Sequence, residues 1–186
     1  MRCLLLTILL SITSVLFSQE DTLGVEWQQD YRLTWSDFKG KEDKSQKLSA
    51  LSKIAIPYNY SSDGEVDLTI NLATVFVKDE SWYKVGKEND VLLAHEQLHF
   101  DIAEVHRRLI VKAILNGKFT SDNYANELRE IITEIWDNDY RAMQDLYDKE
   151  TNYARLFKSQ IKWNKTVAKK LLELEQYKMN TITVVF

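Results

Sequence analysis

Residues 89–117 read NDVLLAHEQLHFDIAEVHRRLIVKAILNG, and this stretch decides both the fold class and the chemistry. Asn89 or Asp90 suits the cap of a helix, and Asn116-Gly117 suits its end. No proline or glycine interrupts the run between them. Within it, His95-Glu96-Gln97-Leu98-His99 fits the pattern H-E-x-x-H. Positions four apart are about one helical turn, or roughly 6 Å along the axis, so both imidazoles lie on one face and can grip one metal ion. Glu96 sits about 100° round the helix, beside the ion rather than bound to it. That is the place of a general base and acid. It takes a proton from zinc-activated water and passes it to the leaving amine of a polarised carbonyl.

A catalytic zinc site needs a third protein ligand. His106 lies on the same face as His99, but about 10 Å further along an unbroken helix, too far to share the ion. It is expected to be structural or to support the ligands from behind. The ligand must then come from another element. Helical periodicity resumes after Thr120 or Ser121, either of which suits a second cap. Tyr124, Leu128, Ile131, Ile135, Ala142, Leu146, Tyr153 and Phe157 follow a period close to 3.6. Counted at about 100° per residue from Ile135, Asp139 and Glu150 fall on this apolar stripe, while Glu134, Asp137 and Asp148 fall outside it. A buried acid needs a partner, and a metal is one. Glu150 is therefore expected as the third ligand, with a salt bridge as its bland alternative. Tyr153, on the same stripe, is expected to bind or to stabilise an oxyanion.

Upstream of the helix, the chain reads as strands and turns. Ile54, Ile56, Tyr58 and Tyr60 alternate, and so do Val66, Leu68, Ile70 and Leu72, with Ser61-Ser62-Asp63-Gly64 as the turn signal. The expectation is a hairpin of about 51–60 with 66–78, with a bulge near Ala73-Thr74 where the alternation slips. Leu33 to Gly40 reads as a short structured turn with two aromatic anchors. Residues 88 to about 176 read as helix, and Thr181 to Phe186 as a last strand. Strands followed by long helices give an α+β class with a small antiparallel sheet.

The chain has 186 residues, 28% of them charged, with a formal net charge of −4. An acidic balance argues against nucleic-acid binding. Arg2 followed by the apolar run Cys3 to Phe17, with Ser18 before the cut, reads as a signal peptide. The run is short for a membrane span, so no stable span is expected once it is removed. The organisation expected is a signal peptide at 1–18 and a single domain at 19–186, exported to the periplasm or secreted. Cys3 is the only cysteine; it leaves with the signal, which excludes thiol catalysis.

Several motifs occur in a fixed order: Leu33-Thr34-Trp35-Ser36-Asp37-Phe38-Lys39-Gly40, Ser81-Trp82, Leu92 to Glu104, Tyr147-Asp148-Lys149-Glu150-Thr151, and Gln160 with Trp163. In this the chain resembles a bacterial family known as domain of unknown function 922, whose members are regarded as secreted zinc-dependent proteases. The resemblance spans about 33–164 and is most specific at His95 to Glu104. It implies an exported zincin-like domain that binds Zn²⁺, with peptidase activity inferred for the family. Where the family pattern continues x-His-Gly, this chain has Asn152-Tyr153-Ala154, so Tyr153 stands in the histidine's place. A tyrosine binds zinc less readily than imidazole at neutral pH, given its reference pKa of about 10.

Two functions follow. The first is a zinc metallopeptidase acting on a peptide or protein substrate. The second is a non-catalytic exported binding module whose zinc site is degraded at Tyr153. In zincins an edge strand near the active helix pairs with the substrate, and 66–78 is the candidate here, with Trp82 and Tyr83 as cleft walls or buried anchors. Arg155, Lys158, Lys162, Lys165 and Lys169 form a basic stripe. It reads as a solvated helix face, with contact to an anionic surface as the alternative.

Overall fold

The computed structural model describes residues 24–186. The expected signal peptide and Cys3 lie outside the described residues. The class is α+β, with small antiparallel sheets preceding long helices. Strands β1 (Val25–Glu26), β2 (Ala50–Leu51), β3 (Ile54–Ala55), β4 (Tyr58–Ser62), β5 (Asp67–Leu72), β6 (Val75–Phe76) and β7 (Trp82–Tyr83) come first. Helix α1 (Asp90–Asn116) follows, then α2 (Tyr124–Ile132), a π-helical segment (Thr133–Tyr140), α3 (Arg141–Thr151) and α4 (Phe157–Glu173). Strand β8 (Thr181–Val185) closes the chain. Among the described residues, no helix is long and apolar enough to cross a membrane.

The strands form three sheets, in the orders β1-β6-β3, β2-β7 and β4-β5-β8. The expected hairpin is present but bent. Tyr58 pairs with Leu72 and Ser62 with Leu68, while Ile54 pairs with Phe76 in a different sheet. The break falls at Ala73-Thr74, where the alternation slips; a strand break takes the place of the expected bulge. Thr74 is buried there and donates its hydroxyl to Glu104 Oε2 at 2.8 Å. At the tip, Asp63 Oδ1 accepts from the backbone amides of Glu65 and Val66, and Gly64 takes a φ of 84°. Strand β8 adds to β5, with Ile70 opposite Ile182. The 33–40 turn is a short 3₁₀ helix at Trp35–Asp37; Asp37 accepts from the Thr34 amide and pairs with Lys78.

Helix α1 has 27 residues, so it runs about 40 Å. It is capped as expected: Asn89 accepts from the Leu92 amide, and Gly117 ends it. Three clusters meet on its sides. Ile110, Val111 and Ile114 pack under Leu68, Ile70 and Leu72 of β5 and against Leu128 of α2. Leu98, Ile102 and Val105 meet Tyr147 of α3 with Trp163 and Val167 of α4. Phe100 and Ala103 meet Leu33, Phe38, Ile54 and Phe76. A helix covered on so many sides must hold its polar groups internally. Glu104 does so by pairing with Arg107 and Arg108, all three buried.

The second helical stretch departs from expectation. It starts at Tyr124, with Asn123 rather than Thr120 or Ser121 in the capping position. It continues through the π segment to Thr151, where Asn152, Tyr153 and Ala154 take φ values of 47°, 52° and 67°. Three successive left-handed residues turn the chain before α4, so the helix breaks without glycine or proline. The π segment has a further consequence. Its i→i+5 bonding widens the turn, so each residue advances less than the α-helical 100° or so. Every residue beyond Tyr140 is therefore rotated from a uniform α count. Tyr147 and Thr151 face inward, while Leu146 and Tyr153, expected on the apolar stripe, are 44% and 49% exposed.

Candidate metal centre

His95 and His99 project from the first half of α1 towards α3. Their Nε2 atoms lie 3.2 Å apart. The atom that completes the group is Asp148 Oδ1, at 3.0 Å from His95 Nε2 and 3.2 Å from His99 Nε2. His95, His99 and Asp148 thus form a group that could hold a metal ion. Glu150, the expected third ligand, is not among them. It is exposed, and its Oε2 accepts from the Trp163 indole at 2.8 Å. Asp139 is exposed too. The rotation introduced by the π segment explains the exchange: it turns Asp148 inward, with Tyr147 beside it, and Glu150 outward.

The histidines are held in one tautomer by the groups behind them. His95 Nδ1–H donates to Gln160 Oε1 at 3.2 Å, and the Tyr147 hydroxyl donates to the same oxygen at 2.9 Å. His99 Nδ1–H donates to Gln144 Oε1, and Gln144 Nε2 donates back to the His99 carbonyl at 3.0 Å. In the neutral rings each Nε2 is thereby left as a lone pair aimed at the other and at a carboxylate. Tyr147 is fully buried and packs on both rings, 4.5 Å from His95 and 4.8 Å from His99 between centroids. Burial pushes its phenol up, so it stays a neutral donor.

Two nitrogen lone pairs and a carboxylate so close together call for a cation. Burial pushes the Asp148 carboxyl up, but hydrogen bonds and charge from His95 and His99 outweigh it and hold the group well below the usual range. Burial pulls His99 down, but the Asp148 hydrogen bond and the charges of Glu96 and Asp148 raise it above its ordinary value. The spacing also suits zinc. Ligand bonds of roughly 2.0–2.1 Å in a tetrahedron put ligand atoms about 3.3 Å apart, against 3.0–3.2 Å here.

Glu96 lies beside this group, buried, with the Ser52 hydroxyl donating to its Oε2 at 2.7 Å. Ser52 follows β2, and residues 45–52 form one wall of a cleft of about 970 Å³. His95, Glu96, His99 and Asp148 line it, with Tyr153, Arg141 and Arg155 also on its walls. Tyr153 is therefore in the cleft but outside the ligand group. His106 is buried elsewhere, donating Nδ1–H to the Ile102 carbonyl at 2.8 Å, as expected of a structural residue. Trp82 is buried and Tyr83 packs on Trp35, so neither lines the cleft.

Residues 79–155 match the family model described as "Bacterial protein of unknown function (DUF922)". Over that stretch the chain is similar to the family. The DUF922 stretch contains Glu96 and all three members of the ligand group. It stops short of Gln160, and it begins after Ser52. No curated protein and no solved structure matches the chain. The family description carries no activity, so the site's own geometry must supply the functional reading.

Sequence reasoning missed Asp148, Gln144 and Ser52 as site residues. Asp148 and Gln160 do stand in the motifs of the family resemblance, which was the one available signal for them. Nothing local marks Ser52, since its role depends on a contact 44 positions away.

Proposed function

We propose that this protein is a metal-dependent hydrolase that cleaves peptide bonds, with His95, His99 and Asp148 as the metal ligands. The observation that carries the proposal is the convergence of two Nε2 atoms and Asp148 Oδ1 within 3.2 Å of one another, beside the buried carboxylate of Glu96. Zinc is the ion that best suits two imidazoles and one carboxylate; when bound it supplies Lewis acidity towards a carbonyl and lowers the pKa of water. Glu96 does the proton work. Ser52 holds its Oε2, so the proton from the attacking water falls to Oε1 and passes from there to the leaving amine. Gln160 and Gln144 fix the imidazoles, and Tyr147 packs them in place.

An extended substrate lies along β2. The earlier candidate, 66–78, has no open edge: β5 is flanked by β4 and β8, and β6 by β1 and β3. Strand β2 pairs only with β7 among the described residues, and it adjoins the cleft. The binding-module alternative rested on Tyr153 standing where a ligand was expected. With Asp148 in that role, Tyr153 is free to face substrate. Export, suggested by the apolar run 3–17, belongs to the same proposal and is checked by fractionating cells that express the full chain.

The deciding experiment compares Glu96→Gln with the parent. The parent is expected to carry about one zinc per chain and to hydrolyse an unfolded protein substrate. Glu96→Gln should keep the zinc and lose hydrolysis by at least about a hundredfold. A variant as active as the parent overturns the mechanism.

A further inference from the structure

Helix α4 has a largely open face, although Ala168 and Leu172 on it also line a groove of about 880 Å³ towards α1. Its inner side is set by Gln160, Trp163 and Val167, all buried. Counted at about 100° per residue, Phe157, Ile161, Ala168 and Leu172 fall within about 60° of arc on the outer side. Phe157 is 65% exposed, Ile161 39% and Leu172 75%, and the preceding Leu156 is 49% exposed. Scattered apolar residues on a surface need no explanation, but these form one line along the helix. Lys158, Lys162, Lys165 and Lys169 occupy the next about 60° of arc. All four are exposed, and among them only Lys169 is ion-paired among the described residues, with Glu173 at 3.6 Å. The chain as a whole is acidic, at −4, so this concentration of cations is local.

We infer that this face of α4 docks the protein on an anionic lipid surface. An apolar stripe flanked by lysines is the composition of helices that lie in the plane of a membrane interface. The lysine stems reach across to the headgroups while Phe157, Ile161 and Leu172 enter the acyl boundary. A protein partner fits less well, because lysine is depleted at the centre of protein interfaces. Charge complementarity selects an anionic bilayer over a neutral one. The helix has 17 residues, so the contact runs about 25 Å. Its N-terminal end adjoins Tyr153 and Arg155 on the cleft wall. Docking therefore brings the mouth of the cleft to the membrane surface. This goes beyond the hydrolase proposal and stands without it, since it needs neither the metal nor Glu96.

The test is co-sedimentation of the full chain with vesicles of phosphatidylcholine, alone or mixed with phosphatidylglycerol, at low and high salt. The apolar run 3–17 could bind both vesicles alike, so the readout is the part of binding that requires phosphatidylglycerol. That part should fall steeply with salt. In Lys158→Gln/Lys162→Gln/Lys165→Gln it should weaken on the order of a hundredfold. Phe157→Ser/Leu172→Ser should weaken it at both salt concentrations. All five positions are exposed, so thermal unfolding should be unchanged and serves as the folding control. Equal binding to both vesicles overturns the inference, and so does a lysine variant that binds as the parent does. Binding of an acidic protein through these lysines, without binding to anionic vesicles, also overturns it.

Discussion

Asp148 and Glu150 are two carboxylates two positions apart on one helix, yet only one reaches the histidines. Asp148 Oδ1 lies within 3.2 Å of both Nε2 atoms, whereas Glu150 turns away to the Trp163 indole. Asp148→Ala should therefore leave a folded protein that retains less than about a tenth of the parent's zinc, because deleting one of three ligands removes most of the affinity. Glu150→Ala should retain it fully. Metal analysis after dialysis reads both, and the reverse order would return Glu150 to the site. A second prediction concerns protons. His99 is raised above its ordinary value by Asp148 and Glu96, so the metal-free protein holds a proton there to a pH above about 6.5. A metal ion must displace that proton. Zinc titration just above that pH should release it, with the measured heat depending on the ionisation enthalpy of the buffer. The release should vanish once the pH exceeds the raised value. A heat that ignores the buffer throughout this window contradicts the assignment of His99. His95, Glu96 and His99 were legible because the motif is local and the helix carrying it is regular. Asp148 was not, because its direction depends on helix geometry further back along the chain.

That geometry is the π segment, Thr133–Tyr140. A count at a fixed angle per residue assumes one uninterrupted kind of helix, and it misplaced the inward face by one position. It put Leu146 and Glu150 inside where Tyr147 and Thr151 are found. Each π insertion amounts to one extra residue in an α-helix. Deleting Asn138, exposed and within the segment, should return the helix towards uniform α geometry and rotate α3 by about 100°. Asp148 would leave the imidazoles, and zinc retention should fall as in Asp148→Ala, while circular dichroism still reports the helix. Retention of zinc by the deletion variant would mean that the π segment does not set the direction of Asp148. Elements with local signals were read well: the Asn89 cap, the Gly117 stop, the turn at Asp63-Gly64 and the closing strand at 181–185. The end of α3 was not, since Asn152, Tyr153 and Ala154 adopt positive φ without glycine. Asn152 is of a type that visits this region, but for Tyr153 and Ala154 the conformation costs roughly 1–2 kcal/mol per residue and is imposed by the surroundings.

The strands-then-helices order gave the α+β class, but the division into three sheets depends on pairings between distant segments, such as β1 with β6 and β8 with β5. What joins these parts is α1, and its polar residues fix the joint. Glu104 accepts from Arg107 Nε at 2.8 Å and from Arg108 Nε at 2.8 Å, with Thr74 donating from the strand side. The two guanidiniums extend the network to the C-terminal segment. Arg107 donates to the carbonyls of Met179 and Lys178, and Arg108 to that of Leu171. One carboxylate thus links the β5–β6 corner, the central helix, the end of α4 and the entry to β8. Removing its charge leaves buried Arg107 without an anion and Arg108 with only the more exposed Glu175, at 3.1 Å, and breaking a buried pair in this way costs about 3–5 kcal/mol. Glu104→Gln keeps the shape and removes the charge, so its deficit in urea unfolding should lie in that range. Hydrogen exchange should show β8 losing protection first, since the carbonyls leading into it are held by Arg107. His95 and His99 stand on the earlier turns of α1 and Asp148 on α3, away from this network, so the folded variant should still bind one zinc. A deficit below about 1 kcal/mol, the scale of an exposed ion pair, would mean that the cluster is solvated and that apolar packing alone joins the C-terminal strand to the helix.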